Sequence, residues 1–298
     1  MIVAADAAPS CQGPDPIVTP PTFAVPPFAC DTHAHVIASG DRFPMVAERS
    51  YTPPPAPQSA YLAMLDGLGM ARGVLVQVSV HGTDNRCMVE ALSAHRERLR
   101  GVAVVAPDVT NGELEALHEA GVRGVRINVL FGGGVALDAL ELLAARVAPL
   151  GWHVQLLIDA RQLTELGPRI ANLPVEVVID HMGHLPVDAG VGHPGFLWLL
   201  RLLKAGKAWV KLSGAYRLSK RGAPFHDTRA FAYALVEAAP ERCVWGSDWP
   251  HVAVDWPMFN TGSLLDLLPV WVPDEALRNR ILVDNPARLY GFPIATPG

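Results

Sequence analysis

Cys30-Asp31-Thr32-His33-Ala34-His35 is the stretch that decides the fold, and apolar residues flank it on both sides. The pattern predicts a buried strand that ends in two histidines. Residues two apart in a strand point to the same side, so His33 and His35 aim into one space. Two imidazoles that converge at a strand end can hold a metal, orient a carbonyl group or carry a proton. Two structural histidines with no role in chemistry are the plain alternative.

Composition limits the class of protein. The chain has 298 residues, of which 50% are hydrophobic, and a formal net charge of -5. This size suits one large α/β barrel or two ordinary domains, and the slight acidity gives no reason to expect nucleic acid as a partner. The four cysteines form no Cys-x-x-Cys pair, so we expect neither a disulfide framework nor a cysteine zinc site. No apolar run is long enough to span a bilayer, and residues 1–6 make a poor signal peptide; we expect a cytoplasmic protein.

Eight apolar strands alternate with helices along most of the chain. Residues 1–27 are rich in proline and small residues and predict an extended N-terminal arm, and residues 28–298 predict one barrel domain. Continuous Val, Ile and Leu strands indicate a parallel sheet covered on both faces, and eight such units predict a (β/α)8 TIM barrel. A doubly wound open sheet is the alternative, although no Gly-x-Gly-x-x-Gly follows the early strands. The predicted strands end near residues 35, 78, 105, 128, 158, 180, 212 and 246, and the last helix is predicted near 274–283.

Polar residues follow almost every predicted strand. The C-terminal ends of the strands of a barrel meet at one rim, and the chemistry of such barrels is found there. Unpaired polar groups at this rim would cost stability, so their joint presence favours a functional site. In strand order they are His33 and His35; Gln77, Ser79 and His81; Arg126 and Asn128; Gln155; Asp180 and His181; Lys211 and Ser213, with Arg217 beyond; and Asp248 with His251.

Three motifs at these strand ends resemble a known family. Asp31-Thr32-His33-Ala34-His35, Ile179-Asp180-His181-Met182-Gly183 and Trp245-Gly246-Ser247-Asp248-Trp249-Pro250-His251 together resemble the amidohydrolase superfamily. Within it the chain is most similar to lactonases of the 2-pyrone-4,6-dicarboxylate type, from about residue 28 to Tyr290. The resemblance implies a hydrolase that opens the lactone ring of an anionic intermediate in bacterial degradation of aromatic compounds.

The resemblance also implies a role for each matched residue. Lactone opening needs a positioned base and donors where negative charge develops, and arginine is the natural partner of a carboxylate. We expect partial desolvation to keep the pKa of the base near the working range. By resemblance, Asp248 is the base that activates water; His33, His35 and His181 surround the scissile carbonyl; Arg126 and Arg217 bind substrate carboxylates; and Tyr51, Ser79 and His251 are further pocket residues.

Metal use depends on the fourth and fifth strands. Two-metal relatives carry a lysine or glutamate on the fourth strand, where this chain has Arg126 and Asn128, and the fifth strand offers Gln155 rather than a histidine. The resemblance favours activity with no required metal. The alternative is a single Zn²⁺ or other divalent ion, with His33, His35, His181 and Asp248 as its ligands.

Two other functions remain open at this stage. One is a metal-dependent, non-oxidative decarboxylase of an aromatic or unsaturated acid on the same scaffold, and the other is a non-catalytic barrel that binds a ligand. In each case the expected partner is a small lactone or carboxylate, with no nucleic acid and no membrane. The sequence does not fix the oligomeric state.

Overall fold

A computed structural model of the chain describes residues 8–254 and 257–294. Within these residues, eight parallel strands follow one another from β1 to β8 around a nearly closed barrel. The predicted TIM barrel is therefore confirmed, because a doubly wound sheet would not keep its strands in chain order. The strands are β1 Cys30–Ala34, β2 Arg72–Val76, β3 Leu99–Ala103, β4 Val122–Asn128, β5 His153–Leu157, β6 Val177–Ile179, β7 Ala208–Leu212 and β8 Cys243–Trp245.

Helices lie between most of the strands. Helix α3 shows how the sequence sets a boundary: the Thr110 hydroxyl accepts a hydrogen bond from Glu113 N, and the Glu113 carboxylate accepts one from Thr110 N. The helices are α1 Gln58–Leu68, α2 Arg86–Ala94, α3 Asn111–Glu119, α4 Leu140–Val147, α5 Leu163–Ala171, α6 Pro194–Lys204, α7 Ala215–Leu218, α8 Arg229–Ala238, α9 Thr261–Leu265, α10 Leu267–Trp271, α11 Glu275–Asn279 and α12 Asn285–Tyr290.

Two predicted boundaries are wrong, one by two residues and the other by seven. The sequence predicts the end of β3 near residue 105, whereas the strand ends at Ala103, because its partner β2 ends at Val76, which pairs with Val102. The last helix is predicted to stop at 283 but continues to Tyr290 through a π-helical turn. Pro286 lies in the first turn of α12, where a helix has no use for its missing N–H.

Strand β1 contains a bulge that turns its side chains toward two different layers. Its register against β2 shifts between Asp31 and Ala34. As a result the Asp31 carboxylate accepts a hydrogen bond from Tyr61 of α1 at 3.1 Å, whereas the His33 ring lies against Lys211 of β7, inside the barrel. In a regular strand, Asp31 and His33 would share one side.

Backbone hydrogen bonds close the barrel between β1 and the segment after β8. Asp248 N donates to His33 O and His35 N donates to Trp249 O, both at 2.8 Å. The backbone of the first two histidines is thereby tied directly to the backbone around Asp248.

The Asp31 side chain reinforces this seam. Its carboxylate accepts hydrogen bonds from the backbone N of Ser247 at 2.8 Å and from the Ser247 hydroxyl at 2.6 Å. Burial nevertheless raises the pKa of Asp31 to about 6. The seam therefore rests on a buried carboxylate that the protein must satisfy with hydrogen bonds alone.

The segment before β1 lies along the outside of the barrel. Ser10 forms a β-bridge with Thr52, and Thr19 N donates to the side-chain oxygen of Asn260 at 3.1 Å. Asn260 is the N-cap of α9. The segment thus contacts the loop that follows β8.

Several predictions about the ends and location of the chain are not tested. Residues 1–7 of the predicted arm and 295–298 of the predicted barrel domain lie outside the described residues, and the boundary at residue 27 stays a prediction. Of the helices in the described ranges, none combines the length and apolarity needed to cross a membrane. The cytoplasmic location stays a prediction.

His153 is a buried histidine at the N-terminal end of its strand, away from the C-terminal strand ends where the predicted site residues lie. It begins β5, is 4% exposed and packs edge-on against Tyr290, with ring centroids 5.4 Å apart. Its Nε2 has no hydrogen-bond partner among residues 8–254 and 257–294. Burial lowers the pKa of His153 to about 3, and Lys211 adds to the effect.

We expect His153→Phe to reduce the loss of stability in acid. The unfolded chain protonates this ring below its ordinary pKa of 6.5, whereas the folded chain does so only near pH 3, so the folded state loses stability as the pH falls between these values. From pH 8 to pH 5 the original protein should lose about 2 kcal/mol more unfolding free energy than the variant. Urea unfolding at both pH values measures this difference, and packing changes in the variant cancel because they act at both. Equal losses in the two proteins would contradict the low pKa.

Candidate active site

Three histidines surround one oxygen of Asp248. The Nε2 atoms of His33, His35 and His181 lie 3.8, 3.9 and 3.8 Å from Asp248 Oδ1. All four side chains are at most 4% exposed. His33 and His35 come from the end of β1, His181 follows β6 and Asp248 follows β8. The structure thus brings the four predicted catalytic residues into one cluster.

Two atoms of this cluster are buried without a hydrogen bond. His33 Nε2 and Asp248 Oδ1 have no partner in the described part of the chain. Leaving a buried polar group unpaired costs roughly 1–3 kcal/mol. Asp248 also has a backbone φ of 63°, in the left-handed region that non-glycine residues rarely adopt. Such costs are tolerated at functional sites, where a ligand supplies the missing partner.

The second oxygen of Asp248 is fully occupied. Arg217 Nε and the Tyr216 hydroxyl both donate to Asp248 Oδ2 at 2.6 Å. Arg217 is predicted to bind a substrate carboxylate, and the structure places it on the carboxylate of the protein itself. Tyr216 is absent from the predicted site, because nothing in the sequence shows that its hydroxyl reaches across to the loop after β8.

The ion pair decides the charge state of Asp248. Burial alone would raise its pKa, but Arg217 and the three histidines hold the pKa of Asp248 well below the usual range. The prediction that desolvation keeps this pKa near the working range is therefore wrong. It omitted a guanidinium group in direct contact with the carboxylate.

A buried ionic layer lies beneath the histidines. Asp180 Oδ2 accepts hydrogen bonds from Arg126 Nη2 at 3.2 Å and Gln155 Nε2 at 3.1 Å, and Asp180 Oδ1 lies 3.2 Å from His33 Nδ1. Lys211 Nζ donates to Gln155 Oε1 at 2.9 Å and lies 3.2 Å from the same His33 nitrogen. Burial lowers the pKa of Lys211 to about 8, so the amine is still mostly charged at pH 7. The layer fixes the His33 ring from below.

Free donors line the wall that β4 provides. Arg126 Nε has no partner within the described ranges, and neither has Asn128 Nδ2. The side-chain oxygen of Asn128 accepts hydrogen bonds from the backbone N–H groups of Leu130 and Phe131, which orients its amide. Tyr51 and Ser79 lie close together, with their hydroxyl oxygens 3.2 Å apart. Of the residues predicted by resemblance to line the pocket, Arg126 therefore retains a free donor.

His251 occupies a different position from the other predicted pocket residues. Its Nδ1 lies 3.2 Å from the Tyr216 hydroxyl and its Nε2 lies 3.1 Å from the Thr261 hydroxyl. Both ring nitrogens are therefore used by protein partners. Burial lowers the pKa of His251 to about 4, so the ring is neutral at pH 7.

The hydrogen-bond partners fix the tautomer of His35 and allow a protonated Nε2 in His181. His35 Nδ1 lies 2.8 Å from Val76 O, which can only accept, so Nδ1 is protonated. Burial lowers the pKa of His35 to about 4, and the neutral ring therefore presents an Nε2 lone pair toward Asp248. His181 Nδ1 contacts the Ser213 hydroxyl at 2.8 Å. Because a hydroxyl can donate, His181 Nε2 can carry a proton.

The donor set also fits one divalent metal ion. His33, His35 and Asp248 offer ligand atoms within 4.8 Å of one another, and so do His33, Asp180 and His181. Imidazole nitrogens and a carboxylate oxygen are suitable zinc ligands. The unpaired His33 Nε2 and Asp248 Oδ1 are the atoms that an ion would satisfy.

Comparison with known proteins points to one family. Residues 30–292 match the family model described as Amidohydrolase. The chain is 42% identical to a 4-sulfomuconolactone hydrolase of Rhizobium radiobacter, covering 95% of this chain and 96% of that protein. It is 40% identical to a 2-pyrone-4,6-dicarboxylate hydrolase of Comamonas testosteroni, covering 91% and 92%. The crystal structure of a Pseudomonas putida protein, described as a candidate 2-pyrone-4,6-dicarboxylic acid hydrolase, is similar with a TM-score of 0.80 at 36% identity, covering 91% of this chain and 100% of that one.

We expect Lys211→Met to lower the free energy of unfolding by roughly 3–5 kcal/mol, the usual cost of removing one partner from a buried ion pair. The change takes a donor from Gln155 and leaves Asp180 with a single cation, Arg126. Urea unfolding at pH 7 measures the loss. Lys204→Met, at an exposed position in the last turn of α6, is the matched control and should cost far less. A similar small cost for both variants would mean that the ionic layer does not depend on Lys211.

Proposed function

This chain belongs to the amidohydrolase family, and on that premise we propose that Asp248 activates the water that opens the ring of an anionic lactone. The enzyme is an amidohydrolase-type lactonase that acts on an intermediate of bacterial aromatic degradation. The observation that carries the mechanism is the unpaired Asp248 Oδ1, which faces three imidazoles.

The nucleophilic water has a natural position between Asp248 and His35. Asp248 Oδ1 and the lone pair of His35 Nε2 are both acceptors and lie 3.9 Å apart. A water molecule that donates one hydrogen to each is held by both, and its own lone pair is left for the carbonyl carbon. Asp248 takes the proton as the new C–O bond forms.

His181 and His33 are the proposed donors to the carbonyl oxygen. When the Ser213 hydroxyl donates to His181 Nδ1, the Nε2 of that ring carries the hydrogen. When Lys211 donates to His33 Nδ1, the same holds for His33. Two fixed N–H groups in a buried site stabilise the oxyanion as it develops, because they need no reorganisation.

Substrate charge would also adjust the base. Within residues 8–254 and 257–294, Arg217 Nε donates to Asp248 and Nη2 to Val252 O, and the third guanidinium nitrogen is proposed to take a substrate carboxylate or sulfonate. A second negative charge beside Asp248 raises the pKa of that carboxyl, since like charges disfavour ionisation. An anionic substrate thus brings the base nearer to its working range.

Arg126 and its neighbours provide a second anion-binding position. Arg126 Nε and the Asn128 amide nitrogen, both on β4, have no partner among the described residues, and the hydroxyl groups of Tyr51 and Ser79, 3.2 Å apart, are the further pocket donors. The named relatives act on a dicarboxylate and on a sulfonated lactone. We therefore propose a lactone with one or two anionic groups as the substrate class for this chain.

We propose that the reaction needs no metal. Three cations, Arg126, Arg217 and Lys211, face the interior beside two carboxylates, Asp180 and Asp248. This charge balance favours an anionic substrate over a further dication. Where a Zn²⁺ does bind, His33, His35, His181 and Asp248 would hold it, and it would polarise the carbonyl as a Lewis acid.

A lactone panel followed by pH-stat tests the proposed function. We expect acid release from anionic lactones, a much weaker rate with neutral ones, and a drop of about 10²- to 10⁴-fold in kcat for Asp248→Asn, the usual contribution of a positioned base. The Asn side chain keeps the shape and removes the basicity. Carbon dioxide release without ring opening would support a decarboxylase instead. Ligand binding that survives with no turnover of any lactone would support a binding protein.

Chelation tests the proposed independence from metal. We expect dialysis against a strong chelator to leave the lactonase rate unchanged, with well under one metal per chain by elemental analysis, because the protein's own N–H groups supply the electrophile. A stoichiometric zinc whose removal abolishes turnover, and whose return restores it, would overturn this and make Asp248 a ligand.

A further inference from the structure

We propose that Thr261, His251 and Tyr216 form a directional chain of hydrogen bonds that positions Asp248, so that His251 is a positioning residue and not a substrate contact. The inference rests on the proposed role of Asp248 as the base. It concerns three side chains behind the carboxylate, on the side away from the histidines at the ends of β1 and β6.

The contacts are continuous and buried. The Thr261 hydroxyl lies 3.1 Å from His251 Nε2, His251 Nδ1 lies 3.2 Å from the Tyr216 hydroxyl, and that hydroxyl donates to Asp248 Oδ2 at 2.6 Å. All four residues are at most 5% exposed. The series therefore runs without a gap from Thr261 through His251 and Tyr216 to Asp248.

The direction of every hydrogen bond follows from Asp248. The carboxylate can only accept, so the single hydrogen of the Tyr216 hydroxyl points to it. The Tyr216 oxygen must then accept from His251, which places the histidine hydrogen on Nδ1. In the neutral ring Nε2 is left with a lone pair, and the Thr261 hydroxyl donates to it. A carboxylate bound to a metal would impose the same order.

Packing holds the series in place. The Tyr216 ring stacks on Phe259 with centroids 4.7 Å apart and lies 5.1 Å from the Arg217 guanidinium carbon. Thr261 begins α9, whose N-cap Asn260 is hydrogen-bonded by Asp15 and Thr19 of the N-terminal segment. The Thr261 end of this series of hydrogen bonds thus lies on a helix whose N-cap contacts the N-terminal segment.

The consequence for the base is geometric. Tyr216 and Arg217 are neighbours on α7, and their two hydrogen bonds to Asp248 Oδ2 together stop the carboxylate from rotating. Only Oδ1 can then face the water and the three imidazoles. Loss of these hydrogen bonds lets the Asp248 carboxylate turn. This lowers the rate of the chemical step and leaves substrate binding unchanged.

Kinetics on the best anionic lactone provide the first test. We expect Tyr216→Phe and His251→Ala each to lower kcat by roughly 10- to 100-fold, the range for one hydrogen bond to a charged group, with KM changed less than threefold. The double variant should be no slower than Tyr216→Phe alone, because His251 acts through Tyr216. Tyr233→Phe, at an exposed tyrosine of α8, is the control. The proposal would be overturned if the double variant lost kcat by the product of the two single losses. It would also be overturned if His251→Ala raised KM for anionic lactones alone.

Replacing His251 by Asn or by Gln distinguishes the loss of one hydrogen bond from a general folding defect. The side-chain amide of Asn sits where Nδ1 does and can still donate to Tyr216, whereas the amide of Gln reaches only the position of Nε2. We expect His251→Asn to recover most of kcat and His251→Gln to remain as slow as His251→Ala. Recovery by Gln in place of Asn would contradict the assigned direction.

The ¹⁵N chemical shifts of the His251 ring give a readout that needs no substrate. We expect a protonated Nδ1 and a bare Nε2, with His251→Asn used to assign the signals. If the protein has this tautomer but opens no lactone, the hydrogen-bond chain is supported and only the proposed function is contradicted. The opposite tautomer in an active lactonase overturns the chain and leaves the proposed function standing.

Discussion

The carboxylate of Asp31, buried across the seam between β1 and β8, is the interaction on which the site depends. A barrel must join its first strand to its last, and in the described part of the chain backbone bonds join β1 to the segment after β8 through Asp248 N and His35 N. Asp31 adds hydrogen bonds to the backbone and hydroxyl of Ser247. The bulge in β1 sends Asp31 outward and His33 inward, so one short strand both closes the barrel and presents the site. The same strand therefore closes the barrel and positions the histidines of the site.

Above this seam, a layer of ion-paired side chains lies beneath the open atoms of the site. The ionic layer of Asp180, Lys211, Gln155 and Arg126 is largely paired within the protein and stiffens the ring of His33 from beneath. One level higher, Asp248 Oδ1 and His33 Nε2 are left open. Paired groups set the positions of the rings, and the open ones mark where the reacting atoms belong. Preorganised sites of this kind need little rearrangement when charge develops.

The sequence could predict where polar side chains meet, but not how they pair. Strand periodicity and the rule that barrel chemistry lies at strand ends are enough to bring His33, His35, His181 and Asp248 together. Pairing across the barrel depends on side-chain reach, which periodicity does not report. The contact between Arg217 and Asp248 is such a case, and overlooking it reversed the expected direction of the Asp248 pKa.

Local irregularities were equally hidden. The bulge in β1 is one extra residue in a ladder whose partner lies far along the chain, so no nearby turn residue announces it. Tyr216 lies on a helix of only four residues, too short for any helical pattern to register. Both features are decided by tertiary contacts, and both bear directly on the base and its first histidine.

The seam also determines when the protein becomes an enzyme during its biosynthesis. Asp31 and Ser247 are 216 residues apart in the chain, which a ribosome adding 5–20 residues per second spans in about 10–40 s. Throughout that interval the histidines of β1 have emerged and have no base to face. The site therefore cannot be complete until the segment after β8 has been made and contacts β1. A nascent chain that ends before residue 248 can contain His33, His35 and His181 but lacks Asp248, the proposed base.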